Sequence, residues 1–255
     1  MDVQEAVEAV WVDLERGVRP TEAVRGKLDL DQAYHVQFDI LRRLVAREEK
    51  IAGWKIGGNS DAARELFATN EPFGGFLLES GRYDGGHEFE LARLPGSAVI
   101  ECEVAFIFKE RLAGPDVTRA DVLTAVDSIA PAFEIATVSR VPGLDLAQLV
   151  SDNVSQWGYV IGEAIPFRSE CDLGAIEVIA ERDGEVAQRG LSRDAVDDQI
   201  DSIVWLAHNL AKFGAAIESG HTVLSGSCLR PAPVGGGERW RATFATLGTI
   251  EASFI

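Results

Sequence analysis

The sequence has little of what binds nucleic acid, spans a bilayer or staples a secreted fold. Only 24 of its 255 residues are Lys or Arg, against 41 Asp and Glu, and the formal net charge is −17. No basic run occurs. Phosphate neutralisation needs clusters of Lys and Arg, so no nucleic-acid partner is expected. No apolar stretch approaches the roughly 20 residues that cross a bilayer, which argues against a membrane partner. The cysteines, Cys102, Cys171 and Cys228, are odd in number and form no CxxC pair, which removes a disulfide framework. Cys102 sits in an apolar run and reads as a small core residue. The histidines, His35, His87, His208 and His221, show no metal-binding spacing, so zinc is not expected. There is no G-x-S-x-G elbow and no H-E-x-x-H, and Gly235–Gly237 lacks the Lys-Ser/Thr that completes a phosphate loop. The N-terminal MDVQEAVEAVW carries acids where a secretory signal carries bases. A reduced, cytoplasmic setting is the expectation.

What is present is an ordinary globular composition, 46% hydrophobic and 25% charged, sufficient for a substantial core. The length allows one large domain or a small domain joined to a larger one. Val3, Val7, Val10, Trp11 and Leu14 recur at helical spacing until Gly17 offers a stop. A second helical stripe runs through Tyr34, Phe38, Leu41, Leu44 and Val45, with Asp31 as its expected cap. The segment 19–30 reads as a connection. From Ile51 the texture turns to short β-rich runs bounded by Gly, Pro and Asp: 74–78, 99–108, 157–161, 176–181, 222–224, 241–246 and 249–254. Asp183-Gly184 suits a two-residue hairpin turn, and Leu247-Gly248 suits another. Two further helices are expected. One starts at Thr118 with Asp121 and carries Val122, Leu123, Val126 and Ile129. The other is capped by Ser192 and carries Val196, Ile200, Ile203, Val204 and Leu210. The pattern predicts an α+β protein, with a helical N-terminal region (1–50) and a β-rich body (51–255).

Three segments could carry chemistry. In Val99-Ile-Glu-Cys-Glu-Val-Ala-Phe-Ile-Phe108 a strand places Glu101 and Glu103 on one face and Cys102 on the other. Adjacent like charges are unfavourable unless solvated or neutralised. An exposed strand face would explain a bare E-x-E, but the surrounding run is strongly apolar, and buried carboxylates need a partner. Glu134, in Pro131-Ala-Phe-Glu-Ile-Ala136, also stands alone among apolar residues. Three converging carboxylates would suit Mg²⁺ or Mn²⁺, hard cations that prefer oxygen ligands. Lys55, in Gly53-Trp-Lys-Ile-Gly57, reads as a snorkelling surface residue, as a cation for a substrate carboxylate, or as a proton carrier with a lowered pKa.

In order along nearly the whole chain, seven segments resemble the hydratase/decarboxylase branch of the fumarylacetoacetate hydrolase superfamily, which includes 2-oxopent-4-enoate hydratases and 4-oxalocrotonate decarboxylases. They are GWKIG (53–57) with Ser60, PFGGFLLE (72–79), ECEVAFIF (101–108), PAFEI (131–135), SDNVSQWGYVIG (151–162), VLSGS (223–227) and ATFATLGTIEASF (242–254). No single one is specific; their order and spacing are. The resemblance implies a β-rich body around a curled mixed sheet and a set of site residues: Glu101, Glu103 and Glu134 match the metal triad, and Lys55 matches the active-site lysine. Glu79 falls where relatives carry an acid, usually Asp. Ser225, Gly226 and Ser227, with Ser60, match substrate-binding positions, and Asp152 and Asn153 match a DN pair.

The resemblance further implies Mg²⁺ or Mn²⁺ and a small 2-oxo acid substrate. The expected reaction is hydration of a 2-hydroxydienoate to a 4-hydroxy-2-oxo acid in aromatic or steroid-ring breakdown, with Lys55 and Glu79 positioning and moving protons. Decarboxylation of a 4-oxalocrotonate-like diacid is the nearest rival. An acylpyruvate C–C hydrolase ranks lower, because no His falls in the motif segments. A non-catalytic partner subunit is disfavoured by retention of the acids and Lys55. A homo-oligomer, and association with a sister decarboxylase or hydratase, are also implied. The chain departs from relatives in reading EIATVSR where they have EIVDSR.

Overall fold

The computed structural model describes residues 1–19, 21–138 and 145–255. Ser139 and Arg140, the end of the EIATVSR departure, lie outside the described residues. The chain opens with α1 (Val3–Glu15) and α2 (Leu30–Ala46). There follow β1 (Ile51–Gly57), α3 (Asp61–Leu66), β2 (Phe73–Leu78), β3 (Arg82–Asp84), β4 (His87–Phe89) and β5 (Ser97–Phe108). Next come α4 (Arg119–Ala125), β6 (Val126–Val138), α5 (Leu146–Ser151), β7 (Gln156–Ile161) and β8 (Ile165–Pro166). The chain finishes with β9 (Glu177–Arg182), β10 (Glu185–Leu191), α6 (Gln199–Lys212), β11 (Thr222–Ser227), β12 (Ala232–Pro233), β13 (Arg239–Phe244) and β14 (Gly248–Phe254). No helix among the described residues is long and apolar enough to cross a membrane.

The two N-terminal helices begin on reciprocal capping boxes, Asp2 with Glu5 and Asp29 with Gln32. Asp29, not the expected Asp31, caps α2. A cap must stand before the first turn to reach the N3 amide, and Asp31 is already inside it, where its charge complements the helix dipole. Ala6, Val7, Val10 and Trp11 of α1 and Val36, Phe38, Ile40 and Leu41 of α2 are buried in the main core. On the outer side Arg47 spans the pair, bonding Glu15 and lying 4.4 Å over the Trp11 ring. Buried Gln37 donates to the carbonyls of Gly74 and Val150, which ties α2 to β2 and α5.

Among the described residues the strands form two sheets. The larger has nine strands, ordered β2-β1-β11-β5-β6-β7-β3, with β12 on β5 and β8 on β6. Its β1–β11 and β3–β7 pairs are parallel and the remainder antiparallel, so the sheet is mixed. It is also curled. The Tyr159 hydroxyl on β7 donates to the Leu78 carbonyl on β2 at 3.3 Å, although four strands separate them in the order. Leu77, Ala105, Ala130, Ala132, Tyr159, Ile161 and Leu224 meet on the inner face of this curl as a cluster separate from the main core. The smaller sheet runs β10-β9-β13-β14-β4. Asp183 and Gly184, at φ 55° and 83°, make the left-handed hairpin between β9 and β10.

Two helical expectations change. The Thr118–Asp121 capping box forms, but α4 stops at Ala125, and Val126 and Ile129 belong to β6. Pairing along the twelve residues of β5 overrides the local helical spacing. Ser192 opens a single 3₁₀ turn, and α6 starts at Gln199 under Asp198, which accepts from the Ile200 and Asp201 amides. Val196 therefore precedes the helix, while Ile200, Ile203, Leu206 and Leu210 form its buried stripe.

Candidate active site

The longest antiparallel pair builds the site. In the β5–β6 register Glu101 stands opposite Glu134, and Glu103 follows two residues along, opposite Ala132. Strand alternation turns Cys102 into the main core. One carboxylate oxygen from each of Glu101, Glu103 and Glu134 lies within 4.8 Å of the others. Glu103 and Glu134 are fully buried and Glu101 is partly so. Like charges directly opposite in a sheet repel, and burial sharpens the repulsion. Burial, then the charge of Glu134, pushes the Glu101 carboxyl up to about 7, and the same causes raise Glu103 well above the usual range.

Lys55 enters from β1. Its Nζ donates to Glu134 Oε1 at 2.5 Å and to the Val154 carbonyl at 3.3 Å. The lowered pKa expected of a proton carrier is not found: burial alone would lower it, but the three carboxylates outweigh that and hold the ammonium above its ordinary value. The snorkelling alternative is thereby removed, since Lys55 is only 4% exposed. Three carboxylates face one ammonium, leaving two formal negative charges in excess when all are ionised. Glu103 Oε1 and Glu134 Oε2 are buried without a hydrogen-bond partner among the described residues. An all-oxygen donor set, two unspent buried oxygens and a double negative excess fit a hard divalent cation.

Backbone features hold this cluster. Gly226, at φ +102°, donates its amide to Glu103 Oε2 at 2.7 Å. A Cβ there would meet the Asn59 amide carbon at 3.0 Å. Asn59 is itself buried and donates to the Ser225 carbonyl at 2.7 Å. Across the site, Asn153, Val154 and Ser155 take φ values of 54°, 52° and 58° in succession. Such conformations cost non-glycine residues about 1–3 kcal/mol each, and a β-branched Val least tolerates them. The Asn153 side chain braces this turn by accepting from the Phe76 amide and donating to the Phe76 carbonyl. Gly75 makes room for it: a Cβ would stand 2.7 Å from Asn153 Oδ1.

The other expected site residues are more dispersed. Ser225 is fully buried and donates to the Val104 carbonyl, and Ser227 donates to the Leu229 carbonyl. Ser60 caps α3, accepting from the Ala63 amide. Of these positions, Gly226 alone contacts one of the three carboxylates through a hydrogen bond among those described. Glu79 follows the end of β2, is exposed, and lies 3.5 Å from Lys50. Its charge acts on Tyr159, whose hydroxyl is raised to about 12, mainly by burial. Sequence reasoning missed Asn59, Tyr159 and Arg19. Asn59 adjoins the GWKIG segment and Tyr159 lies inside a quoted motif, but nothing in the sequence marks Arg19. A separate cleft of about 490 Å³ beside α4 and α6 holds Arg119 and Arg193, which are already paired with Asp198, Asp201 and Asp172.

No family model matches the sequence. The chain is 31% identical over 245 residues to 2-hydroxyhexa-2,4-dienoate hydratase of Comamonas testosteroni, covering 94% of this chain and 91% of that protein. It superposes on 4-oxalocrotonate decarboxylase from Pseudomonas putida G7, complexed with magnesium and adipate, with a TM-score of 0.91. That match has 25% identity and covers 100% of this chain and 99% of the other. A Yersinia pestis CO92 protein assigned to the fumarylacetoacetate hydrolase family shares the fold, with a TM-score of 0.61 and 17% identity over 81% of this chain and 94% of that one. The fold is that of the fumarylacetoacetate hydrolases. With the dienoate hydratase and decarboxylase relatives at 30% identity or more, the chain belongs to the hydratase/decarboxylase family.

Proposed function

We propose that this protein is a divalent-metal-dependent lyase that adds water to a 2-hydroxydienoate, giving a 4-hydroxy-2-oxo acid. The observation that carries the reading is the convergence of Glu101, Glu103 and Glu134 on one buried point with two carboxylate oxygens unpartnered. Its similarity to a dienoate hydratase along almost the whole chain supports the reaction class. Decarboxylation of a 2-oxo diacid is the second reading, favoured by the 0.91 superposition on the decarboxylase.

Glu101, Glu103 and Glu134 would hold Mg²⁺ or Mn²⁺. Bound there, the ion supplies fixed positive charge for a substrate carboxylate and for negative charge gathering on the neighbouring 2-oxygen. The remaining work falls to side chains of this chain. Lys55 keeps its proton beside Glu134 and is the group we assign to proton transfer on the carbon chain. Glu79, which follows the end of β2 and whose charge acts on Tyr159, is assigned to the second proton transfer. Ala105, Ala130 and Ala132 keep the inner face of the sheet narrow in side-chain bulk and dry. Ser60, Ser225, Gly226 and Ser227 are assigned to the substrate's carboxylate end. A cytoplasmic setting fits the free state of Cys102, Cys171 and Cys228, and a homo-oligomer is part of the same proposal.

The test is turnover of a 2-hydroxydienoate and of a 2-hydroxymuconate-type diacid, with Mg²⁺ and with chelator. Loss of diene absorbance without CO₂ identifies the hydratase, and stoichiometric CO₂ identifies the decarboxylase. Neither signal after Mg²⁺ reconstitution would overturn both readings.

A further inference from the structure

Arg19 lies in the connection after α1, far in sequence from every residue of the site. Its side chain is only 10% exposed. The guanidinium donates through Nε to Asp152 Oδ1 at 2.8 Å, through Nη2 to the Asp152 carbonyl, and through Nη1 to the Gln156 carbonyl at 2.8 Å. These contacts grip the residues on either side of the left-handed run Asn153–Ser155. The middle of that run presents the Val154 carbonyl to Lys55 Nζ. Lys55 has three donors to place, and Glu134 and Val154 take two of them. The third direction is therefore set by where the turn holds the Val154 oxygen.

We propose that Arg19 is a positioning residue for Lys55, acting as a clamp across residues 152–156 that fixes the Val154 carbonyl and so aims the Lys55 ammonium. The inference rests on the assignment of Lys55 to proton transfer. A planar fork is required for this task, because three acceptors at different angles are met at once. A lysine at position 19 keeps the charge beside Asp152 but has no rigid fork. The strained backbone then has one fewer restraint, and the carbonyl that steers Nζ loses its fixed place.

The experiment compares wild type with Arg19→Lys, each also in a Lys55→Met background. Arg19→Lys should lower kcat about 10- to 100-fold, the range seen when outer groups that orient a reacting residue are lost. KM and Mg²⁺ affinity by calorimetry should stay within about threefold. In the Lys55→Met background the same change should alter residual kcat less than about twofold, because a residue that acts through another loses its effect when that other is gone. Retained kcat, or an equal loss in both backgrounds, overturns the clamp. Val154→Gly provides a second route that suits the left-handed backbone. It should lower kcat, with a lower melting temperature from the loss of the buried Val154 side chain, and an unchanged kcat counts against the proposal. If wild type turns over no 2-hydroxydienoate or 2-oxo diacid, the functional reading has failed instead. Hydrogen exchange at the Ser155 and Gln156 amides then decides: local acceleration in Arg19→Lys supports the clamp, and unchanged protection overturns it.

Discussion

Cross-strand charges are arranged oppositely in the two sheets. In the five-stranded sheet Arg241 stands opposite Glu251 on β14 and Glu181 on β9, so unlike charges face each other. The Arg241–Glu251 pair is 3.7 Å apart, with side chains 52% and 32% exposed. In the nine-stranded sheet Glu101 stands opposite Glu134, like facing like, and Glu134 is fully buried. The first arrangement explains itself as solvated surface pairing. The second lacks a structural purpose, since a hydrophobic pair would be more stable there. Its repulsion makes sense once a cation belongs at the point where the oxygens meet.

That contrast can be broken most severely at Glu134. Glu134→Gln removes one of the three carboxylates and the charge opposite Lys55. Turnover at saturating Mg²⁺ should fall on the order of 10³-fold, the scale of losing a group that stabilises developing charge. Activity within about tenfold of wild type would remove Glu134 from the metal site.

Acidity probes the same repulsion. Without metal, Glu101 rises from 4.5 in the unfolded chain to about 7 in the folded one. The folded protein thus holds a proton that the unfolded chain has released. Stability from this group is full below the unfolded value and drains as pH rises through the folded one. Melting temperature in chelator should therefore drop between about pH 5 and about pH 8, while saturating Mg²⁺ should flatten the curve. A chelated protein with a flat profile would show that Glu101 is neither shielded from water nor crowded by Glu134.

Gly75→Ala tests whether the inner face tolerates bulk. The added methyl meets Asn153 Oδ1, so about 1–3 kcal/mol of stability should be lost in denaturant titration. A loss below about 0.5 kcal/mol would mean the turn yields freely. At the far end of the scale, Arg241→Ala should change stability by less than about 1 kcal/mol and leave turnover untouched. A larger cost would show that the surface pairs are not mere solvation.

Much of the site was legible because it is local in sequence. Glu101 and Glu103 are two apart in an apolar strand, and that spacing alone fixes their common face. Glu134 was legible as an isolated acid among apolar residues, but its strand was not fully traced. Val126 and Ile129 fit a helical stripe, and only pairing with β5 decides against it. Ser192 and Asp31 were plausible caps because the residue types suit that role, whereas Asp198 and Asp29 win by standing at the actual chain reversal. Arg19 was invisible for a different reason. Its partners are 133 and 137 residues away, and no spacing rule reaches that far.

The pleat at Cys102 has a consequence for metal choice. Its thiol sits between two carboxylates in the chain yet projects into the opposite layer of the protein, where burial raises it beyond the normal thiol range. One thickness of backbone thus separates sulfur from the oxygen ligands. If the proposed site holds an ion, a soft, thiophilic one entering the inner face would not meet the Cys102 sulfur, and a preference for a hard ion would be inherited from the two-residue period of a strand.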